Sequence, residues 1–577
     1  MEWLILGGAL MIRVAALIAL TQTPYADRPL VDALTYWQQA GALLEGEDPF
    51  ERGLYQPPGY PFFLAAIGGL TGRLTGGLDL TVVRVVHLLL GMASSVMLLR
   101  LGKRLGERVG VPWAGAAAVA LFSLYPTTVM FELDILTPAL TIALSLGGLL
   151  CVLSPRWWVA GAGGLLSGLA VVVHPTMLIA GAVMGLWRAL QPNGRSASGL
   201  FFVLLGVCLI PTTVKNYRDY GDVALVSYNG GLNFYLGNNP RWRETSMLRA
   251  GLAFRELVLE ANPAERDMAE RDAYWWSRSI EESTKAPVAW LASIGTRVIW
   301  SVNDLEIPRN EDYRCRFEEP ALRWIGLLPV SFGLVFPLAI AGLIAVVRRR
   351  DAEGVLLVGV WGALGLPLIV FFVTDRYRLP TWPLLCILAP IGAGTFWQMM
   401  RSGKRMHPAW LLLLVAAALP WVPIDPRLEK DPAWCLHVQG NFAYLDEDLE
   451  RARSLYEASL ERDAMNMDAR SYLASMAFQR GDLDEAERQM RWVVRAHPEH
   501  FPSLKMMARI LEGQGSLSAS ADFLGRAWRV PGERRNTGAQ YVVMLVRAGR
   551  TSDARAVLRE DPDLWRSRRV REAFDNP

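Results

Sequence analysis

Long apolar runs constrain this chain more than any other feature of its sequence. Of its 577 residues, 52% are hydrophobic and only 20% are charged, which is too apolar for a soluble protein of this length. A run of about 18–20 apolar residues is long enough to cross a bilayer as a helix. The sequence therefore predicts an all-α, polytopic membrane bundle of about 11 spans, near residues 4–21, 82–100, 111–130, 133–153, 157–173, 176–190, 198–214, 324–347, 355–373, 381–398 and 408–424.

Basic residues between the spans predict the orientation of the bundle. They follow alternate spans, for example Arg100 after the second, Arg156 after the fourth and Arg348 after the eighth. Because Lys and Arg concentrate in cytoplasmic loops, the amino terminus is expected in the cytoplasm. The chain is predicted to be integral to the inner (cytoplasmic) membrane. Its outer face then receives the loops 23–58 and 216–322 and everything after residue 425.

The carboxyl-terminal part of the chain has an internal period of 34 residues. Gly481, Gly515 and Gly549 share this spacing, and two further registers agree with it: Ala452, Ala486, Ser520 and Ala554, and Tyr456, Met490, Leu524 and Leu558. Small residues recur where paired helices approach closely, and the glycines mark the turns. Residues 430–577 therefore resemble tetratricopeptide repeats, an α-solenoid, and we expect a separate domain after the membrane domain 1–425. In the first unit Glu447 stands where the glycine belongs.

The cysteines leave one pairing open. Of the five, Cys315 and Cys435 lie outside the spans, on the outer face, where the compartment permits a disulfide bond. Sequence gives no distance between them, so whether they are bonded stays open. No Cys/His spacing suggests zinc.

An acidic residue stands at the mouth of the bundle. Asp32 lies about ten residues beyond the first span, in the pattern Asp32-x3-Tyr36-x3-Ala40. A carboxylate is costly to keep near a membrane and is often retained for function. The alternative interpretation is an ordinary solvated loop aspartate.

Several outer-face motifs, taken in order, resemble one family. They are the Asp32 pattern, Tyr55-Gln56-Pro57-Pro58-Gly59-Tyr60-Pro61, Lys215-Asn216-Tyr217-x3-Gly221, Asn229-Gly230-Gly231-x-Asn233 and Arg376-Tyr377-Arg378-Leu379-Pro380. Over residues 1–400 the chain resembles the polyprenyl-phosphate-sugar-dependent glycosyltransferases of the GT-C fold, the relatives of protein O-mannosyltransferases and lipid A aminoarabinose transferases. Tyr55 and Gln56 replace the Glu-Lys pair of the aminoarabinose branch, which disfavours that particular reaction.

The resemblance implies a catalytic role for Asp32. In this family the first-loop aspartate takes the proton of the acceptor hydroxyl, with inversion at the sugar carbon. Glu132 and Asp134 are candidates for a second acid. Two residues apart on a helix they would face different directions, so we expect only one of them in the site. The resemblance implies no obligatory metal or other cofactor, although paired acids leave a divalent cation possible.

The departing phosphate needs positive charge, and the candidates are Lys215, Arg376 and Arg378. Interfacial snorkelling is the alternative role for the two arginines. His174 replaces an arginine usual in relatives, and it could either share phosphate binding or simply cap a helix. Polar side chains of the motifs are predicted to line the substrate pocket: Tyr36, Tyr55, Gln56, Tyr60, Asn229 and Asn233.

The expected partners are a polyprenyl-phosphate-linked monosaccharide and an acceptor, with membrane lipids around them and no nucleic acid. A protein or peptide acceptor is favoured because of the repeats, and a glycan or lipid is close behind. Two other classes of function are weighed against this one. A transporter or flippase for lipid-linked glycans would show internal symmetry and broken midplane helices, and neither is seen in the sequence. A membrane-tethered repeat scaffold would not need ordered acids and arginines on one face.

Overall fold

A computed structural model describes residues 2–261, 266–402, 412–530 and 534–575. Within these ranges the secondary structure is helical and contains no β-strand, so the all-α prediction is confirmed. The chain divides into two compact units. The first, the membrane unit, comprises Met1–Met247 and Asp272–Glu429, and the second, the repeat unit, comprises Leu248–Arg271 and Lys430–Pro577.

The helices before residue 430 vary widely in length. In chain order they are α1 Glu2–Leu20, α2 Asp32–Glu45, α3 Gly59–Thr75, α4 Leu80–Val109, α5 Ala114–Ser123, α6 Pro126–Leu133, α7 Pro138–Val152, α8 Trp157–Val173, α9 Met177–Leu190, α10 Arg195–Tyr220, α11 Gly230–Gly237, α12 Trp242–Thr245, α13 Leu252–Leu259, α14 Met268–Lys285, α15 Pro287–Val302, α16 Arg323–Gly326, α17 Phe332–Arg349, α18 Ala352–Val370, α19 Asp375–Arg378, α20 Trp382–Arg401 and α21 Leu412–Ala418.

Within the described residues each predicted span overlaps helix, but the count of about 11 spans is not confirmed. Six helical segments of the described chain are long and apolar enough to cross a membrane, and a seventh results if α5 and α6 form one broken span. The apolar helices α7, α8 and α9 are shorter, and so is the segment Leu412–Trp421. The predicted span 408–424 begins in residues outside the described ranges.

The segment between α1 and α4 contains two helices. The amphipathic α2 begins at Asp32, and α3 begins after Pro57 and Pro58. At Gly59 a Cβ atom would lie 2.8 Å from the backbone carbonyl of Val172, so only glycine allows α3 to start against the end of α8. The prediction treated 23–58 as loop and did not include α3.

The repeat unit consists of helical hairpins, as the period predicts. Its helices are α22 Pro432–Leu445, α23 Leu449–Arg462, α24 Met467–Gln479, α25 Leu483–Ala496, α26 Phe501–Gly513, α27 Leu517–Arg529, α28 Arg534–Arg547, α29 Thr551–Glu560 and α30 Arg568–Asp575. The turn glycines Gly481, Gly515 and Gly549 all have φ between 74° and 80°. Glu447, in the same register, has φ 61°, so a non-glycine residue takes the left-handed conformation in the first turn.

The segment Leu248–Arg271 belongs to the repeat unit. Leu252 in α13 is buried in the core that α24, α25 and α26 share, and its backbone N–H donates to Asp468 Oδ1 at 3.3 Å. Glu256 Oε2 lies 2.7 Å from His497 Nδ1, and Arg249 stacks 4.9 Å from the ring of Trp434. The sequence prediction ended the membrane domain at 425 and included residues 216–322 in it, whereas 248–271 fold with the repeats.

Candidate active site

Asp32 occupies the first turn of α2, directly after a strained residue. Val31 has φ 49° and ψ −113°, a conformation that a β-branched residue rarely adopts and that costs about 1–3 kcal/mol. This backbone conformation turns the chain sharply at the start of α2. As a result the Asp32 carboxylate lies at the helix N-terminus, where the helix dipole favours a negative charge.

Two side chains from distant parts of the membrane unit hold this carboxylate. Arg376 Nη1 donates to Asp32 Oδ2 at 2.6 Å, a contact across 344 residues of sequence. Gln56 Nε2 donates to Oδ1 at 3.0 Å. We call Asp32, Tyr36, Gln56 and Arg376 the Asp32 cluster, because Arg376 Nη2 also donates to the Tyr36 hydroxyl at 3.4 Å.

The environment of Asp32 keeps it ionised. Burial by itself raises the pKa of Asp32, but the Arg376 guanidinium and the hydrogen bond from Gln56 outweigh burial and hold the pKa below its usual range. The side chain of Asp32 is 23% exposed and that of Arg376 is 10% exposed, so the pair is partly screened from water. A carboxylate held in this way is negative at neutral pH and is a weak proton acceptor while the pair lasts.

Aromatic side chains form the wall behind the pair. Tyr36 contacts Tyr60 edge to face at 5.2 Å, and the Tyr60 hydroxyl lies 3.0 Å from Nε2 of the buried His87, which the sequence prediction missed. Tyr55 is 41% exposed. Partial burial and the nearby Asp32 charge raise the pKa of Tyr55 to about 12, so its hydroxyl stays protonated. Three of the predicted pocket residues therefore lie around Asp32, namely Tyr36, Gln56 and Tyr60. The charge of Asp32 also acts electrostatically on Tyr55.

The two candidate second acids have different partners. Glu132 is buried in the bundle and forms an ion pair with Arg13, with distances of 2.7 and 2.8 Å to its two oxygens. Asp134 Oδ2 instead lies 3.3 Å from Arg316, which also binds Glu311 at 2.6 Å. Asp134, Arg316 and Arg376 line one small cavity of about 30 Å³. Of the two acids, Asp134 is therefore the one that shares a cavity with Arg376, whereas Glu132 is paired with Arg13.

The predicted phosphate ligands are not brought together. Lys215 Nζ pairs with Asp219 at 3.1 Å and with Asp48 at 3.6 Å, and no ion pair in the described chain joins it to the Asp32 cluster. Arg378 is bound to Glu306 at 2.6 Å and to the carbonyl of Asn303 at 2.5 Å. Of the predicted cations, only Arg376 contacts Asp32.

His174 lies in a second layer. Its Nδ1 is 2.7 Å from the Thr176 hydroxyl, and its ring packs edge to face against Tyr377 at 5.2 Å. Tyr377 in turn lies beneath the Arg376 guanidinium at 5.5 Å. The contacts in the structure thus place His174 behind Arg376.

The asparagine- and glycine-rich motif is a packing element. The backbone N–H of Gly231 donates to Asp272 Oδ1 at 2.6 Å, and a Cβ at Gly237 would lie 1.6 Å from the carbonyl of Phe371. Asn229 starts α11 and accepts a hydrogen bond from Ser227 at 3.2 Å. No hydrogen bond or ion pair in the described chain links Asn229 or Asn233 to Asp32. The close contacts of this motif with Asp272 and Phe371 instead hold α11 between α14 and the end of α18.

The sequence prediction missed the loop between α15 and α16. In this loop Glu306 binds Arg378, and Arg316 binds Asp134. The cavity that Asp134 and Arg376 line is also lined by Arg309, Asn310 and Glu311. Arg309 stacks 5.1 Å from Phe372 and acts electrostatically on both Asp32 and Tyr55. The density of charged residues in this loop was the available signal. Among the described residues, no group of His, Cys, Asp and Glu converges as a metal site.

Comparison with known proteins gives structural matches only. No family model and no curated protein matches the chain. The structure is similar to ArnT from Cupriavidus metallidurans bound to undecaprenyl phosphate, with 14% identity, a TM-score of 0.37 and coverage of 90% of this chain and 79% of ArnT. It is also similar to the Archaeoglobus fulgidus oligosaccharyltransferase, with 12% identity, a TM-score of 0.41 and coverage of 73% of this chain and 55% of the enzyme.

A third match concerns a smaller part of the chain. MamA from Desulfovibrio magneticus RS-1 is 18% identical, with a TM-score of 0.22, and the match covers 30% of this chain and 94% of that protein. The two larger matches stand as a resemblance of the kind that the sequence motifs predict. At these levels of identity the chemistry of this chain does not follow from it.

Proposed function

We propose that this protein is an integral-membrane glycosyltransferase that moves a monosaccharide from a polyprenyl-phosphate donor to an acceptor outside the cytoplasm. Asp32 is the base and Arg376 binds the phosphate. The observation that carries the proposal is the 2.6 Å contact between them, which joins an acid of the first outer loop to a cation at the start of α19. Inverting transfer needs a negative base and a positive phosphate ligand close to each other.

The proposed reaction is a single displacement. The acceptor hydroxyl gives its proton to Asp32 while its oxygen forms a bond to the anomeric carbon of the donor. The bond from that carbon to the phosphate oxygen breaks, and its electron pair goes to the phosphate, whose charge Arg376 stabilises. Attack opposite to the leaving phosphate inverts the anomeric centre.

Ion pairs at the other end of the bundle support the proposed orientation. Lys103 in α4 pairs with Glu2 at 3.0 Å, and Arg108 pairs with Asp351 before α18 at 3.1 Å. The start of α1, the end of α4 and the start of α18 therefore share one face, and this face is rich in basic residues. We assign this face to the cytoplasm and the Asp32 cluster to the outer side of the inner membrane.

The preferred acceptor is a protein or peptide. Helical repeats present extended surfaces that bind chain segments. Tyr444 and Tyr472 are only partly buried in the repeat unit and lie 5.5 Å apart, and Trp492, which is half exposed, stacks on Arg470 at 5.0 Å. Aromatic side chains of this kind suit peptide binding.

The test is transfer in a reconstituted system. Purified protein in lipid nanodiscs is given labelled polyprenyl-phosphate sugars together with the peptide and glycan fractions of the envelope. We expect transfer by the wild type and a loss of about 10²–10⁴-fold in Asp32→Asn, because a general base contributes about that much. Asp27→Asn removes an exposed acid of the same loop and is expected to stay active.

Two outcomes would contradict the proposal. Full transfer by Asp32→Asn would remove Asp32 from the role of base. An absence of transfer from every lipid donor by the folded wild type would contradict the glycosyltransferase assignment itself.

A further inference from the structure

Arg376 cannot bind the donor phosphate and keep its ion pair with Asp32 at the same time. As a phosphate ligand its guanidinium must face the donor, yet Nη1 is already bound to Asp32 Oδ2 at 2.6 Å. As the proton acceptor, Asp32 must be free to approach the acceptor hydroxyl, yet its strongest contact is this same cation. One carboxylate and one phosphate thus compete for one guanidinium.

The rest of the site allows the exchange. The Nε–H of Arg376 is buried and finds no hydrogen-bond acceptor among the described residues, so the guanidinium has a donor to offer an incoming anion. Its Nη2 contact with Tyr36, at 3.4 Å, is long and easily replaced. Gln56 would keep its 3.0 Å hydrogen bond to Asp32 and hold the carboxylate in place after the cation has turned away.

We propose that Arg376 masks Asp32 in the empty enzyme and that the donor phosphate releases it by displacing the carboxylate from the guanidinium. This inference rests on the proposed function, since the displacing ligand is the polyprenyl phosphate. A phosphate can accept two parallel hydrogen bonds from a guanidinium, whereas Asp32 accepts one from Arg376, so the exchange costs the guanidinium no hydrogen bond. The consequence is a base that becomes strong only when a donor is bound.

The exchange links phosphate binding to the protonation of Asp32. Burial raises the pKa of Asp32 and Arg376 lowers it, so the loss of Arg376 to the donor leaves the pKa higher in the complex than in the free enzyme. Donor binding therefore favours the uptake of a proton, and wild-type affinity should rise as the pH falls toward the pKa of the complex. Other charged or titratable groups act on Asp32 or Arg376: Arg309, Tyr36, Tyr55, Tyr377 and His174.

The experiment measures binding without chemistry. The probe is the methyl ester of undecaprenyl phosphate, a phosphodiester like the donor that keeps a single charge between pH 4 and 7. Its dissociation constant is measured by microscale thermophoresis for the full-length wild type, Asp32→Asn and Asp27→Asn in nanodiscs. At pH 7 we expect Asp32→Asn to bind at least about tenfold more tightly, because the competing charged partner is gone. Asp27→Asn is expected to bind as the wild type does.

A pH series tests the same inference without relying on the variant. From pH 7 to pH 4 the wild-type affinity is expected to increase, and that of Asp32→Asn to stay level. Equal or weaker binding by folded Asp32→Asn overturns the inference while leaving the proposed function standing. If the variant does not fold, a wild-type affinity that fails to rise toward pH 4 overturns it. Absence of binding by the wild type overturns the proposed function, and the inference with it.

Discussion

The most deeply buried ion pairs of the described residues lie in the membrane unit, and the pairs of the repeat unit are more exposed. In the membrane unit Arg13 and Glu132 are both almost fully buried, and Arg378 with Glu306 nearly so. In the repeat unit the pairs lie along helix surfaces, such as Arg453 with Glu457, whose side chains are 44% and 51% exposed. A buried charge depends on its partner because it has lost water, whereas an exposed charge keeps its hydration. The deeply buried pairs are therefore structural, whereas the exposed pairs contribute little to stability.

A second contrast lies within the Arg376-Tyr377-Arg378 motif. Arg376 binds Asp32, an acid of the candidate site, while Arg378 binds Glu306 and ties the loop after α15 to the end of α19. The sequence analysis predicted that both arginines bind the donor phosphate. Under the proposed function Arg376 is the phosphate ligand and Arg378 is an anchor, and this difference can be measured.

The largest effect is expected at the deepest pair. Glu132→Gln leaves the Arg13 guanidinium buried without its counter-charge, and we expect the free energy of unfolding to fall by about 3–5 kcal/mol. Thermal unfolding of the full chain in detergent measures the change. The double variant Arg13→Met with Glu132→Met removes both charges and should recover most of the loss. A single variant as stable as the wild type would contradict the contrast between the units.

The two arginines of the motif come next. We expect Arg378→Gln to destabilise the protein by about 2–3 kcal/mol, because Glu306 loses a charged hydrogen-bond donor. It should leave the affinity for the phosphodiester probe close to that of the wild type. Arg376→Gln should lose most of this affinity. Equal losses of affinity in the two variants would mean that both arginines bind phosphate.

A gain in stability is expected at the first turn of the repeats. Glu447 has a positive φ of 61°, which costs a residue with a side chain about 1 kcal/mol or more. Glu447→Gly should therefore stabilise the hairpin of α22 and α23 by about 1 kcal/mol, visible as slower amide hydrogen exchange in the full-length protein. Gly481→Ala is the matched control and should have the opposite effect. No change in either variant would contradict the strain argument.

The smallest effect is expected on the repeat surface. Arg453→Ala breaks a pair with Glu457 in which both side chains keep their hydration, and we expect a change in unfolding free energy below about 0.5 kcal/mol. The thermal unfolding used for Glu132→Gln measures it under the same conditions. A loss as large as that of Glu132→Gln would show that exposure does not separate the two groups of ion pairs.

Some of these features could be predicted because they are periodic or local. The repeats follow from a spacing of 34 residues, and the helices of the bundle follow from the length of the apolar runs. The conformation of Glu447 follows from its register with Gly481 and Gly515. The position of Asp32 outside the first span is also local information.

The partners of each charge could not be predicted in this way. Nothing in the sequence spacing says that Glu132 meets Arg13 and Asp134 meets Arg316, or that Lys215 lies apart from Arg376. Such pairs depend on which helices pack together and how they are rotated, and these are properties of the whole bundle. The glycine-rich motif before α11 showed the same limit, since its close contacts with Asp272 and Phe371 serve packing.

By itself the sequence determined that the chain is a helical membrane protein followed by helical repeats, with an acid at the mouth of the bundle. Only the tertiary structure decided that Arg376 is the cation on Asp32, that residues 248–271 fold with the repeats and that the loop after α15 contributes to the site. The physical reason is that hydrophobic periodicity acts along the chain. An ion pair, by contrast, depends on distances of about 3 Å between side chains that only packing brings together.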